Sequence, residues 1–145
     1  MTSQHSEILL LSLAFQNFLD DTYSTLIKSL DESTKLKRAK SSSDAIRYLE
    51  THTPKAILVT DEGLTETTNK AVLEKVQSYV KNGGLVILGL HYPNFTRMDV
   101  FDKFFGEGFG LSWQHGDYHR TTFRFNPSCI LPASAVKDSI PSSIA

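Results

Sequence analysis

The chain has 145 residues, of which 40% are hydrophobic and 21% charged, with a formal net charge of −1. That length holds one domain with a core of its own, and the composition excludes a disordered chain. The near-neutral balance gives no pull toward nucleic acid and no acidic solvating tail.

A single cysteine, Cys129, rules out an intramolecular disulfide and fits a reducing compartment. The apolar run Ile8–Phe15 leads into Gln16, Asn17, Asp20 and Asp21 rather than a small-residue cleavage site. It therefore reads as a buried strand and not as a signal peptide. It is also far shorter than the ~20 residues that cross a bilayer. The expectation is a cytoplasmic protein with no membrane partner.

In chain order, Ile8–Leu13 is the first predicted strand. Phe15, Phe18, Leu19, Tyr23, Leu26, Ile27 and Leu30 follow at spacings of three and four, which makes one apolar helix face. Thr34–Ala39 alternates Leu36 and Arg38 with lysines and reads as an edge strand. Ser41–Ser43 supply an N-cap for a short helix carrying Ala45, Ile46, Tyr48 and Leu49. Ala56–Thr60 is apolar nearly throughout, as strands covered on both faces are. Val72, Val76, Tyr79 and Val80 mark a third helix, which Lys81-Asn82-Gly83-Gly84 stops. Leu85–Leu90 is a further continuous apolar run, expected to be covered like its predecessors.

The order β-α-β-α-β-α-β predicts an α/β fold, an open parallel sheet with helices on both faces. Right-handed crossovers favour the flavodoxin-like strand order 2-1-3-4, with room for a further strand. After Leu90 the character changes. Phe101, Phe104, Phe105, Phe109, Trp113, Tyr118, Phe123 and Phe125 are interleaved with Gly106, Gly108, Gly110 and Gly116. The pattern predicts a helix over Arg97–Phe105, a glycine-rich turn and a strand over Tyr118–Phe125. The prolines and serines of 126–145 read as a loosely ordered tail after a domain spanning 1–125, and leave room for a longer parent chain.

The stretches Ala56-Ile57-Leu58-Val59-Thr60-Asp61, Tyr79-Val80-Lys81-Asn82-Gly83-Gly84 and Leu85-Val86-Ile87-Leu88-Gly89 resemble the class I glutamine amidotransferase-like superfamily. Within it the chain is most similar to the ThuA-like and β-galactosidase-trimerisation-like branches, with Phe104-Phe105-Gly106 and Gly110–His119 fitting more loosely. The resemblance spans residues 7–125. It implies a flavodoxin-like sheet, frequent pairing of domains and, for the ThuA-like branch, action on a sugar-like metabolite. One departure is chemical. Where amidotransferases carry a Gly-x-Cys-x-Gly elbow, this chain reads Gly89-Leu90-His91-Tyr92-Pro93. Cys129 lies outside that motif, so thiolate chemistry on glutamine is not expected.

Ligands of open α/β sheets bind beyond the carboxyl ends of the strands, at the topological switch point. Ala14–Gln16, Thr60–Gly63 and Gly89–Asn94 gather there. Asp61 and Glu62 are candidate acid and base, and His91 a candidate catalytic or binding imidazole. The commoner fate of such residues is to cap the next helix or pack in a loop. His91, Tyr92, Trp113 and His115 are candidate ligand contacts. His115, Asp117 and His119 would share one face of an extended strand, a weak candidate metal shell that Gly116 interrupts. No phosphate-cradling glycine motif follows the first strand, so no nucleotide cofactor is expected.

Two functions follow as expectations. The first is a non-catalytic amidotransferase-like domain for association or small-ligand binding. The alternative is a hydrolase or isomerase on a small polar, sugar-like metabolite, with metal assistance left open. The aromatic segment further predicts a homodimer seated on Phe105, Phe109 and Trp113.

Overall fold

The computed structural model describes residues 6–117, 120–124, 126–130 and 143–144. The chain divides into two units, Met1–His115 and Gly116–Ala145.

The first unit is built on four parallel strands: β1 (Glu7–Leu11), β2 (Lys35–Ala39), β3 (Ala56–Val59) and β4 (Leu85–Leu88). Their order is β2-β1-β3-β4, the flavodoxin-like arrangement expected from the alternation of elements. Register aligns Leu9 with Lys37 and Ile57, and Ile57 with Val86. Alternation then assigns the two faces of the sheet. Leu9, Leu11, Ala39, Ile57, Val59, Val86 and Leu88 point to one side. There they meet Ala45 of α3 (Ser42–Thr51), Val72 and Val76 of α4 (Lys70–Lys81) and Phe104 and Phe105 of α6 (Met98–Phe109). Ile8, Leu10, Leu36, Arg38, Leu58, Leu85 and Ile87 point to the other. That side carries α1 (Phe18–Thr22) and α2 (Ser24–Ser33). Asp20 of α1 accepts two hydrogen bonds from the Arg38 guanidinium, at 2.9 and 2.8 Å, which fixes the helix to β2.

Local chemistry accounts for the element ends. Ser41 caps α3 by accepting from the Asp44 amide at 3.2 Å. The α4 stop uses both glycines differently. Gly83 takes φ +93°, which a side chain resists, and a Cβ on Gly84 would collide with the Tyr79 ring. That ring cannot swing away freely, because the Tyr79 hydroxyl donates to the Pro54 carbonyl at 2.9 Å. Gly84→Ala is expected to cost about 1–3 kcal/mol by overpacking, read as a lower urea midpoint with an unchanged m-value.

Several expectations are corrected. The first predicted helix breaks at Tyr23, which leaves helical geometry (φ −111°, ψ 27°) and splits it into α1 and α2. No residue of α2 is fully buried, and Leu26 is exposed. Helix α6 runs four residues past Phe105, through Gly106 and Gly108, and Gly110 caps it at φ +65°. Two helical glycines cost about 1 kcal/mol each. Packing outweighs them, because Phe104 and Phe105 are buried and Phe109 lies against both, at 5.4 and 6.5 Å between ring centres. Of the rings expected to form an exposed patch, Phe101, Phe104, Phe105 and Phe109 join the core, whereas Trp113 and Phe123 stay exposed. The β4 run, expected to be covered, leaves Leu85 and Ile87 50% and 48% exposed.

In the second unit, β5 (Phe123–Arg124) pairs antiparallel with β6 (Ser143–Ile144). Of the strand expected over Tyr118–Phe125, residues 120–124 are described and only Phe123–Arg124 form a strand, 118, 119 and 125 lying outside the described set. Among the described residues no helix is long and apolar enough to cross a membrane.

Candidate functional site

The switch point lies between the carboxyl ends of β1 and β3. Ser12 and Thr60 leave those ends side by side, fully buried, with their hydroxyls 2.7 Å apart. The Thr60 hydroxyl also donates to the Leu11 carbonyl at 3.2 Å, and its amide donates there at 3.0 Å. Asp61 comes next and is 2% exposed. Its Oδ1 accepts from the Gly63 amide at 3.0 Å and from the Ala14 amide at 3.1 Å. One carboxylate oxygen therefore closes its own turn and ties the β3 loop to the β1 loop. Gly63 brings the loops into contact: a Cβ there would lie 2.6 Å from the Ala14 nitrogen and from Leu13. Asn69 then locks the turn from below, donating to the Gly63 carbonyl at 2.8 Å.

The second Asp61 oxygen is buried without a hydrogen-bond partner among the described residues. Burial raises the Asp61 pKa, the two amide bonds oppose the rise, and the charges of Glu62 and Glu66 add to it. Glu62 itself is half-buried at the start of a short 3-10 turn, Glu62–Thr65. Asp61 is thus the cap of that turn, as the simpler reading of the sequence had it.

His91 hangs on the same frame, its amide donating to the Thr60 carbonyl at 2.9 Å. Its ring is enclosed by Phe18 (4.8 Å), Phe95 (4.9 Å, edge-on) and Tyr23 (5.5 Å, edge-on). Tyr23, the residue at the α1–α2 break, is one of these three rings. Tyr92, the first residue of α5 (Tyr92–Phe95), goes the other way into the core, 5.6 Å from the Phe104 ring and 6.3 Å from Phe101. Burial pushes its phenol pKa up, and its hydroxyl has no partner among the described residues. His91 and Tyr92 therefore point into different layers.

Trp113 and His115 lie elsewhere, on the segment after α6. Trp113 packs 5.2 Å from Phe105 and remains 57% exposed. His115 is clamped by Asp102 of α6, which accepts its amide at 2.7 Å and sits 2.9 Å from its Nδ1. Asp102 escaped the sequence reading: thirteen residues separate the pair, and only the Gly110 cap folds the segment back. Of the candidate metal shell, His115 is engaged by Asp102, Asp117 falls in the second unit, and His119 lies outside the described residues. No group of three or more candidate ligands is gathered among the described residues.

No protein-family profile, curated protein or solved structure matches this chain.

Two concavities of about 920 and 500 Å³ lie at the opposite, amino ends of the strands. The first is lined by Glu7, Asp31, Lys35 and Lys55 among others, the second by His52, Lys75, Tyr79 and Gly84. None of the candidate residues lines either. The larger borders the 2.7 Å hydrogen bond that the Tyr48 hydroxyl donates to Glu7. That bond joins α3 to β1, a structural task.

Proposed function

We propose that the protein is a non-catalytic α/β domain that works by association, as a homodimer, rather than by turning over a substrate at the switch point. One observation carries the reading: Gly63 lies against Leu13 and Ala14, so the two loops that would flank a ligand close on each other. The polar groups there serve the fold. Asp61 caps its turn and bridges the loops, Ser12 and Thr60 satisfy one another, and His91 is wrapped by three aromatic rings. A catalytic carboxylate and imidazole need access to the reacting atoms, and these two are 2% and 4% exposed. The missing elbow cysteine in Gly89–Pro93 of the amidotransferase-like motif points the same way. Sedimentation equilibrium at micromolar concentration tests the reading. A dimer is expected, and a single species at 16.2 kDa overturns it.

A second reading has one observation in its favour. The Asp102–His115 pair holds an oriented imidazole two residues from an exposed tryptophan, a pairing suited to acid–base work on a small sugar-like ring. Saturable quenching of Trp113 fluorescence by simple sugars, lost in His115→Ala, would favour that reading over the first.

A further inference from the structure

The two edges of the sheet are unlike. The β2 edge carries Lys35, Lys37 and Arg38, charges that discourage another strand from pairing there. The β4 edge reads Leu85-Val86-Ile87-Leu88, with no charge, proline or bulge. Among the described residues no strand pairs with its outer side. Its Leu85 and Ile87 stand on the α1–α2 side of the sheet, in register with the buried Ala56 and Leu58 of β3, and each is about half exposed. Phe18 and Phe95, 6.2 Å apart, are also close to half exposed, Phe95 following β4 in the chain.

We infer that β4 is the dimer seam, pairing antiparallel with β4 of a second copy to extend the sheet from four strands to eight. The inference rests on the association reading and places its interface. Parity restricts the register. In an antiparallel pair, opposed residues share a face, and a twofold axis normal to the sheet keeps each residue on its own face. The pairing must then centre on a residue, not on a peptide bond. Centred on Val86, it sets Leu85 of one copy against Ile87 of the other, twice. The four half-exposed side chains would cover one another on the open face. The other way to extend the sheet, β4 of one copy on β2 of the next, grows an open filament and meets the lysines of β2. The closed pair avoids both.

Area supports a second copy as the occupant. Four half-exposed side chains, with aromatics offering ~150–250 Å² each, present about 400 Å² per copy. Doubled, this is about 800 Å², to which the two strand edges add, the size of a weak or transient interface. A mixed sheet with an antiparallel pair at its centre is ordinary.

The test uses the full chain. Ile87→Lys is expected to raise the dimer dissociation constant at least 100-fold in sedimentation, with an unchanged far-UV spectrum, because the site is half exposed. The register is read by disulfide trapping in a Cys129→Ser background. Opposed Cα atoms of an antiparallel pair lie ~4.5–5.5 Å apart, within disulfide reach. Leu85→Cys with Ile87→Cys in one chain should give a covalent dimer on a non-reducing gel, and either change alone should not. A dimer that survives Ile87→Lys and is not trapped by the cysteines overturns the seam and leaves the association reading standing. A wild-type monomer overturns both, with amide exchange at Val86 and Leu88 then telling an open edge from one covered within the chain.

Discussion

Replacing Ile57 with aspartate is expected to abolish the folded state. Ile57 is fully buried at the centre of β3, in register with Leu9 on one side and Val86 on the other. It belongs to the cluster that joins the sheet to Val72 and Val76 of α4. Loss of the side chain alone costs about 2–5 kcal/mol, and an unpaired carboxylate in its place adds several more. A domain of this size has about 5–15 kcal/mol in total. The sum is of the same size as that whole. Ile87→Asp makes the same chemical change on the open face, and should keep a cooperative urea transition, lowered by no more than the dimer contacts it removes. Circular dichroism and urea melts of the pair read the difference. A cooperative Ile57→Asp melt near the wild-type midpoint would mean that β3 is not the interior strand that its register describes.

The contrast between these two isoleucines also marks what the sequence could and could not reveal. Both sit in continuous apolar runs, and such a run names a strand without naming its neighbours. Burial on both faces follows for β3, which has β1 and β4 beside it and all four of its residues buried. It does not follow for β4, whose outer edge and one face lack that cover among the described residues. The β2 edge was legible because charge alternation reports exposure directly. The sequence pattern ends helix α6 early because glycine propensity is local, whereas the rings of Phe104, Phe105 and Phe109 stabilise the helix only through tertiary contact. In the site, the capping role of Asp61 could be read from its position after a strand. The closure of the crevice could not, since it depends on Gly63 meeting a backbone about fifty residues earlier in the chain. Nor could the Asp102–His115 clamp, which needs the reversal at Gly110.

Asp61 gives the second large effect. Asp61→Ala leaves the Ala14 and Gly63 amides without their acceptor in a closed pocket of backbone. Each unmet buried donor costs about 1–3 kcal/mol, so a loss of about 3 kcal/mol is expected. Asp61→Asn separates the hydrogen bonds from the charge. Its Oδ1 can accept both amides as the carboxylate does. Burial raises the Asp61 pKa in the folded protein above its ordinary 3.8, so the native state favours the protonated acid. The stability this gives is fully present below the unfolded value and is lost as pH rises through the folded one. Asparagine does not titrate and lacks that loss. The stability of Asp61→Asn relative to wild type should therefore improve as pH rises from below 3.8 to neutrality. Asp61→Ala should be the weakest of the three in acid, where the wild-type acid is uncharged and keeps both amide bonds. Urea denaturation of the three proteins across that range measures the differences. If Asp61→Asn ran parallel to wild type at every pH, the carboxyl would not titrate differently on folding and its orphaned oxygen would have a partner in solution. If Asp61→Ala matched wild type, the tie between the β1 and β3 loops would not hold the crevice shut, and the switch point would again be open to a ligand.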